Sequence, residues 1–407
     1  MFSSPERPGL LLTRLVCLLL LFCSLPGVSA EGEFEPARAE VWLVTYGPGE
    51  IYWQRFGHNA IWVRDQQLGL DHAFNFGFFD FEQEDFFVRF LQGRMLYFSA
   101  ARPAREEFSS YINENRSIRA QRLDLSPGQK LRLIDFLLEE VQPENRDYLY
   151  DYYENNCSTR IRDAIDLALG GMLRTEFERL PATQSWRDHT RRLTAADLWL
   201  YLGLEIGLGS PVDRSISRWE EMFIPEVLAD SIASVEFSGN GLARPLVLED
   251  VILHESSMPA PPAVTASWWP RYLLLSLGLV VLAWLADRYL VHGVAVALSR
   301  TWLLLSGIAG LALLFLWFGT DHAVARLNLN LLVFNPVWIG FAMWRGNVTL
   351  PLFTIGLISV LACLLALLPS GQYFVDVLAA FLPLNLAAAF GLTPSRIQPA
   401  SLPGAPA

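Results

Sequence analysis

The sequence predicts an exported α+β domain followed by an α-helical transmembrane bundle, and three observations carry that reading. Hydrophobic residues make up 52% of the 407, and the mean hydropathy is +0.28, too apolar for an ordinary soluble chain of this length. The charges are unevenly spread: the segment from about Glu31 to Glu255 holds nearly all of them, and the last third is almost uncharged. Short strand and helix patterns alternate within the charged segment, whereas long apolar runs take over from Ser267. The net charge of −11 belongs to the water-facing part. No basic patch exceeds two adjacent arginines, which excludes nucleic acid as the partner.

Residues 1–30 carry Arg7 and Arg14, a short apolar core from Leu15 to Phe22, and small residues before Glu31, the pattern of a secretory signal cleaved after Ala30. The exported domain is expected over 31–255. Val41 to Tyr46 reads as a strand, Gly47-Pro48-Gly49 as a turn, and the stretch to Val63, with His58, as a second strand. Asp65 to Gly69 forms a hairpin loop, and Leu70 to Gly77 returns with Asp71, His72 and Asn75. A Phe-rich segment follows; it ends in a helix at Gly93, with a strand from Leu96 to Ala100. Its aromatics suit a core, and their excess also suits a groove for acyl chains. Gln121 to Leu125 is a strand, Pro127 to Val141 a helix capped by Ser126, and Tyr148 to Tyr153 an extended run. Residues 185–235 look helical, with caps at Thr194 and Ser215, and 236–255 look like strand pieces.

A linker over 256–268 contains Pro259-Ala260-Pro261-Pro262. The membrane domain, 269–393, shows apolar runs near 271–290, 301–319, 331–345, 350–368 and 374–392, read as about five spans, the third short enough to be interfacial or re-entrant. A cytoplasmic tail covers 394–407. An exported domain forces the first span inward, which puts Arg288, Arg300, Arg345 and Arg396 on the cytoplasmic side and only Arg271 and Arg326 outside. The polar stretch from Thr320 to Asn335, with His322, Asn328 and Asn330, then lies at the outer boundary beneath the exported domain, where such residues are costly unless paired or used.

Four cysteines stand at 17, 23, 157 and 363, and only Cys157 falls in the exported domain, so it has no intramolecular partner there. No cysteine spacing suits a metal, and no cofactor is expected. A lone cysteine is more often a small core residue, but Cys157 lies between Asn155-Asn156 and Ser158-Thr159-Arg160, a polar setting at the first turn of a helix that Gly170-Gly171 ends. Asn155 or Asn156 caps that helix. Backbone N–H groups and the helix dipole there stabilise a thiolate, with Arg160 and Arg162 adding charge. Thiolate chemistry also needs a base and a group that orients it. His58 is the candidate base; the orienting residue is left between Asp71 and Asn75.

A histidine on an early strand before an Asn-Cys at a helix start is similar to the circularly permuted papain-like fold of enzymes resembling lecithin:retinol acyltransferase. A closer resemblance rests on several phrases: Tyr46-Gly47-Pro48-Gly49, Phe56-Gly57-His58-Asn59-Ala60, Phe74-Asn75-Phe76-Gly77, Phe90-Leu91-Gln92-Gly93-Arg94 and Asn155 to Asp163, then Thr320-Asp321-His322 and Asn328-Leu329-Asn330. The chain resembles the Lnb family of bacterial lipoprotein N-acyltransferases. The resemblance implies an inner-membrane protein with a periplasmic cysteine domain. It would move an acyl chain from a membrane phospholipid, through a Cys157 thioester, to the α-amine of a diacylglyceryl lipoprotein. In that chemistry Cys157 attacks, His58 moves the proton, Asn156 and nearby N–H groups hold the oxyanion with Arg160 in support, and the family phrase favours Asn75 beside the histidine. His322, Asn328 and Asn330 would meet substrate from the membrane side. The alternatives are a cysteine peptidase or amidase of the envelope, a thioesterase or phospholipase, and a non-catalytic membrane scaffold.

Overall fold

A computed structural model describes residues 35–239, 242–265, 267–289, 293–368 and 371–392. The expected signal at 1–30 and tail at 394–407, with Arg396, lie outside the described residues. Alternating apolar and polar residues between 40 and 254 form, among the described residues, a seven-stranded antiparallel sheet. Its strands are β1 (Glu40–Tyr46), β2 (His58–Asp65), β3 (Leu70–Phe78), β4 (Leu96–Pro103), β5 (Ile118–Leu123), β6 (Asp147–Leu149) and β9 (Val247–His254), in the order β6-β4-β3-β2-β1-β5-β9. A two-stranded ribbon, β7 (Glu236–Gly239) with β8 (Leu242–Pro245), stands apart.

Because side chains alternate along a strand, the sheet has two covered faces. Leu43, Ile61, Val63, Phe74 and Phe76 pack on one face against helix Pro127–Glu140 through Leu133 and Leu137, and against helix Cys157–Ala168 through Ile161 and Ala164. Trp42, Val44, Tyr46, Ala60 and Ala73 cover the other with Phe108 and Tyr111 of helix Ala104–Asn113. The register sets His58 opposite Tyr46 and Ala60 opposite Asn75. Tyr46, His58, Ala60, Ala73 and Asn75 therefore share the face that helix Ala104–Asn113 covers.

Sequence reading placed most strands and missed helix Ala104–Asn113. The helix after Ser126 has the expected capping box, whereas the α-helices of 185–235 are capped at Ser185, Asp197, Ser217 and Ile224, not at Thr194 and Ser215. The extended run at 148–153 pairs through the three-residue β6 and a bridge from Asp151 to Asn155 before the Cys157 helix.

Among the described residues three helices are long and apolar enough to cross a membrane: Trp269–Tyr289, Val294–Phe318 and Thr349–Ala366. The run near 374–392 forms the 17-residue helix Val375–Gly391 with Pro383 inside it. The run at 331–345 is broken into a 3-10 turn at Leu329–Leu332 and helix Val337–Ala342. That break leaves the Val333 carbonyl outside a regular helix, and Trp338 Nε1 and Asn385 Nδ2 both donate to it at 2.9 Å. Irregular backbone among apolar helices is stable where the protein itself supplies such donors.

Candidate active site

Helix Cys157–Ala168 begins where it does because Asn156 caps it. The Asn156 Oδ1 accepts from the Thr159 N–H at 2.9 Å, Thr159 Oγ1 accepts from the Asn156 N–H at 2.8 Å, and the Asn156 amide donates to the carbonyls of Tyr152 and Phe223, each at 3.0 Å. Both amide hydrogens are thereby committed, so this side chain fixes the helix start and has no N–H left for an oxyanion. Cys157 is the first helical residue, and the backbone N–H groups of Asn59, Ser158 and Cys157 itself face its sulfur. Gly77, at φ +94°, makes that approach possible: a Cβ there would lie 3.3 Å from the Cys157 Cβ.

His58 opens β2, and its Nε2–H donates to Asn75 Oδ1 at 2.9 Å. The tautomer follows from the next contacts: the Asn75 amide nitrogen donates to Glu107 Oε2 at 2.7 Å and to the Ala73 carbonyl at 3.2 Å, which turns Oδ1 to the imidazole and leaves His58 Nδ1 as an acceptor. Glu107, 1% exposed, also accepts the Tyr46 hydroxyl at 2.6 Å, and Tyr46 stacks on Tyr111 with ring centroids 3.6 Å apart. A chain of hydrogen bonds thus runs His58–Asn75–Glu107–Tyr46 behind the imidazole. Asp71, the other candidate for orienting His58, sits four residues up β3 from Asn75, about 13 Å at strand spacing. It accepts from Trp62 Nε1 at 2.6 Å and does not reach the imidazole.

Burial dominates the electrostatics. It pushes the Cys157 thiol up to about 11, against the three N–H groups and the Arg116 guanidinium, and it pulls His58 down to about 4 despite the Asn75 hydrogen bond. At rest the thiol and the imidazole are therefore both neutral, without the thiolate expected from the helix start. Burial likewise raises the Glu107 carboxyl, while its bonds to Tyr46 and Asn75 favour the carboxylate. The cation acting on the thiol is Arg116. Arg160 instead pairs with Glu140 at 3.2 Å and lies over the Tyr148 ring, and Arg162 donates to the Trp219 carbonyl and pairs with Asp163.

Cys157 and His58 line one cavity of about 630 Å³. Phe79, Phe90 and Trp53 form part of its wall, and Leu316, His322 and Val324 complete it from the membrane-helix side. His322 is held there by the Phe90 carbonyl, 2.9 Å from Nε2, and stacks on Tyr152. Asn328 and Asn330, expected to contact substrate, do not line this cavity. Both are buried, donating to the carbonyls of Glu205, Ile206 and Gly207 at the end of helix Leu198–Gly207. Among the described residues no cluster of three or more His, Cys, Asp or Glu side chains is suited to a metal.

Residues 29–192 match the family model of the Lnb N-terminal periplasmic domain, and residues 263–391 match that of the Lnb transmembrane domain. The chain belongs to the Lnb family. It is a membrane protein with a periplasmic region, and both members of the Cys157–His58 pair fall in the part matched as Lnb periplasmic domain. No curated protein matches the chain, and no solved structure does. Glu107 and Arg116 are the site residues that sequence reasoning missed in this Lnb chain. An acid at position 107 shares a helix face with Ala104 and Tyr111, a carboxylate among apolar positions, and that was the available signal.

Proposed function

We propose that this protein is a lipoprotein N-acyltransferase whose exported domain, a circularly permuted papain-like unit over 31–255, works at the outer face of the bacterial inner membrane. The observation that carries the reading is the shared cavity: a half-buried thiol at a helix start and an imidazole of fixed tautomer open onto the same space as Leu316 and His322 of the membrane domain. A soluble substrate needs no such junction, whereas a lipid held in the outer leaflet does.

In the first half-reaction, Cys157 Sγ adds to an acyl ester carbonyl of a phospholipid while its proton passes to His58 Nδ1. The ester C–O bond then breaks, the proton goes to the leaving glycerol oxygen, and an S-acyl enzyme remains with a lysophospholipid. In the second, the α-amine of a diacylglyceryl-cysteine attacks the thioester, a C–N bond replaces C–S, and the amine proton returns through His58 to sulfur. Backbone N–H groups around Cys157 hold the oxyanion in both steps, each such donor worth about 3 kcal/mol. Asn75 and Glu107 position the imidazole, and the cationic form that arises transiently faces the Glu107 carboxylate through the Asn75 amide. The neutral resting pair suits this scheme, since a thiol at about 11 resists adventitious oxidation and gives up its proton only to a base already in place.

Expression in a strain depleted of its own apolipoprotein N-acyltransferase tests the reading. Lipoproteins should gain a third acyl chain by mass spectrometry; lipoproteins that stay diacylated at normal levels of the protein would exclude it.

A further inference from the structure

The cavity holds two guanidinium groups that the acyl-transfer chemistry leaves unassigned. Arg116, 4% exposed, lies on the turn before β5. Its Nε donates to the Gly47 carbonyl at 2.8 Å, its guanidinium carbon sits 4.6 Å from the Tyr111 ring centroid, and Nη1 stands 3.5 Å from the Glu114 carboxylate. Its Nη2 is buried with no hydrogen-bond partner among the described residues. An N–H of a permanent cation left unpaired in a protein interior is costly, and Arg116 faces the cavity that contains Cys157. Arg102 of β4 lines the same cavity. Among the described residues the cavity wall sets one carboxylate against these two cations, Glu114, which Gln54 Nε2 also holds at 3.0 Å, and Glu107, outside that lining, also attracts Arg102.

We propose that Arg116 and Arg102 form an anion subsite that takes the phosphate of a glycerophosphodiester, the head of the phospholipid acyl donor. This deepens the acyl-transfer reading and rests on it. A glycerophospholipid carries its phosphate and its acyl ester carbonyls on one three-carbon unit, so a single molecule engages both the guanidinium groups and Cys157. Its acyl chains run along the aromatic wall toward Leu316. The planar fork of arginine suits phosphate oxygens, and the bond is charge-assisted on both sides. The acceptor has no phosphate. The subsite therefore favours the donor in the first half-reaction and releases with the lysophospholipid, leaving the same space to an amine-bearing diacylglyceryl group in the second.

The test is binding to the full-length protein in detergent, with Cys157→Ser to prevent turnover, of short-chain phosphatidylglycerol, matched short-chain diacylglycerol and inorganic phosphate. Phosphatidylglycerol should bind about tenfold more tightly than diacylglycerol, as a charge-assisted pair allows. Arg102→Gln and Arg116→Lys should each remove most of that preference while leaving diacylglycerol affinity within about twofold. Arg102→Gln keeps the test decisive if loss of the Gly47 contact unfolds the Arg116 variant. Equal binding of the two lipids, or equal weakening of both in the variants, would overturn the subsite, and inorganic phosphate binding as tightly as the lipid would overturn the lipid assignment. With Cys157 restored, failure to form an acyl-enzyme while the phosphate preference persists would sink the acyl-transfer reading and leave the subsite standing.

Discussion

At Cys157 and His58 burial raises the thiol and lowers the imidazole, and the signs fix the pH behaviour. The neutral imidazole is the base, so kcat/KM should hold through neutral pH and fall as pH drops through about 4, not near 6.5. Alkylation of Cys157 by iodoacetamide should be slow at pH 7 and climb with pH toward about 11; a rate already saturated at pH 6 would mean a preformed thiolate. Cys157→Ser should lower turnover by about 10³-fold or more with the protein still inserted. Glu107→Gln replaces a charge-assisted bond to Asn75 with a neutral one and should lower kcat about tenfold with KM nearly unchanged, whereas a packing role alone would lower Tm without that split. Cys157 and His58 were legible because each opens an element, a helix for one and a strand for the other. The choice between Asp71 and Asn75 was not, since only the β2–β3 register decides which carbonyl oxygen meets the imidazole. Glu107 was hidden for a related reason: its partners lie 61 and 32 residues away in sequence.

Two glycines with positive φ show how elements are brought to the site. Gly77 lets the Cys157 helix approach β3. Gly77→Ala should cost about 1–2 kcal/mol of backbone strain and displace the thiol, so activity per folded molecule should fall further than stability does. Gly93, at φ +76°, ends helix Phe86–Gln92 where a Cβ would lie 2.7 Å from the His322 nitrogen. At that contact the Asp321 N–H donates to the Gln92 carbonyl at 2.7 Å and Arg94 pairs with Asp321 at 2.6 Å. The sequence marked Gly93 as a helix end and left Gly77 as the last residue of a strand, and only the structure shows what each makes room for. Asn328 and Asn330 turn out to cap a helix end, so Asn328→Ala with Asn330→Ala should lower protein abundance first, at about 1–3 kcal/mol for each buried carbonyl left unpaired. Unchanged transfer per remaining molecule, from paired immunoblot and acylation measurements, is the expected result. Helix Ala104–Asn113 escaped sequence reading because its charged first turn and short length mask the face formed by Ala104, Glu107 and Tyr111.

Across the whole molecule the exported and membrane segments share buried polar contacts, so the two are one working unit. Asp376, fully buried in an apolar helix, accepts the Tyr201 hydroxyl at 2.6 Å and pairs with Arg191 at 3.1 Å, and the Gly209 N–H donates to the Val324 carbonyl at 2.8 Å. Removing one partner of a buried pair leaves an uncompensated charge, so Asp376→Ala should destabilise by about 3–5 kcal/mol and appear as a lowered Tm in detergent. The division into a charged, strand-rich part and apolar helices was plain from composition and periodicity. The join was not, because Arg191 and Asp376 lie 185 residues apart and neither carries a local motif. Acyl transfer by this protein stands or falls on a thioester on Cys157 formed from phospholipid. Its most direct test is the intact mass of the purified protein after incubation with a phospholipid of defined acyl chains. A single acyl adduct should appear that maps to Cys157, is released by hydroxylamine, and is lost to the amine of an added diacylglyceryl peptide. No adduct on the active protein, or the same adduct on the Cys157→Ser variant, would contradict it.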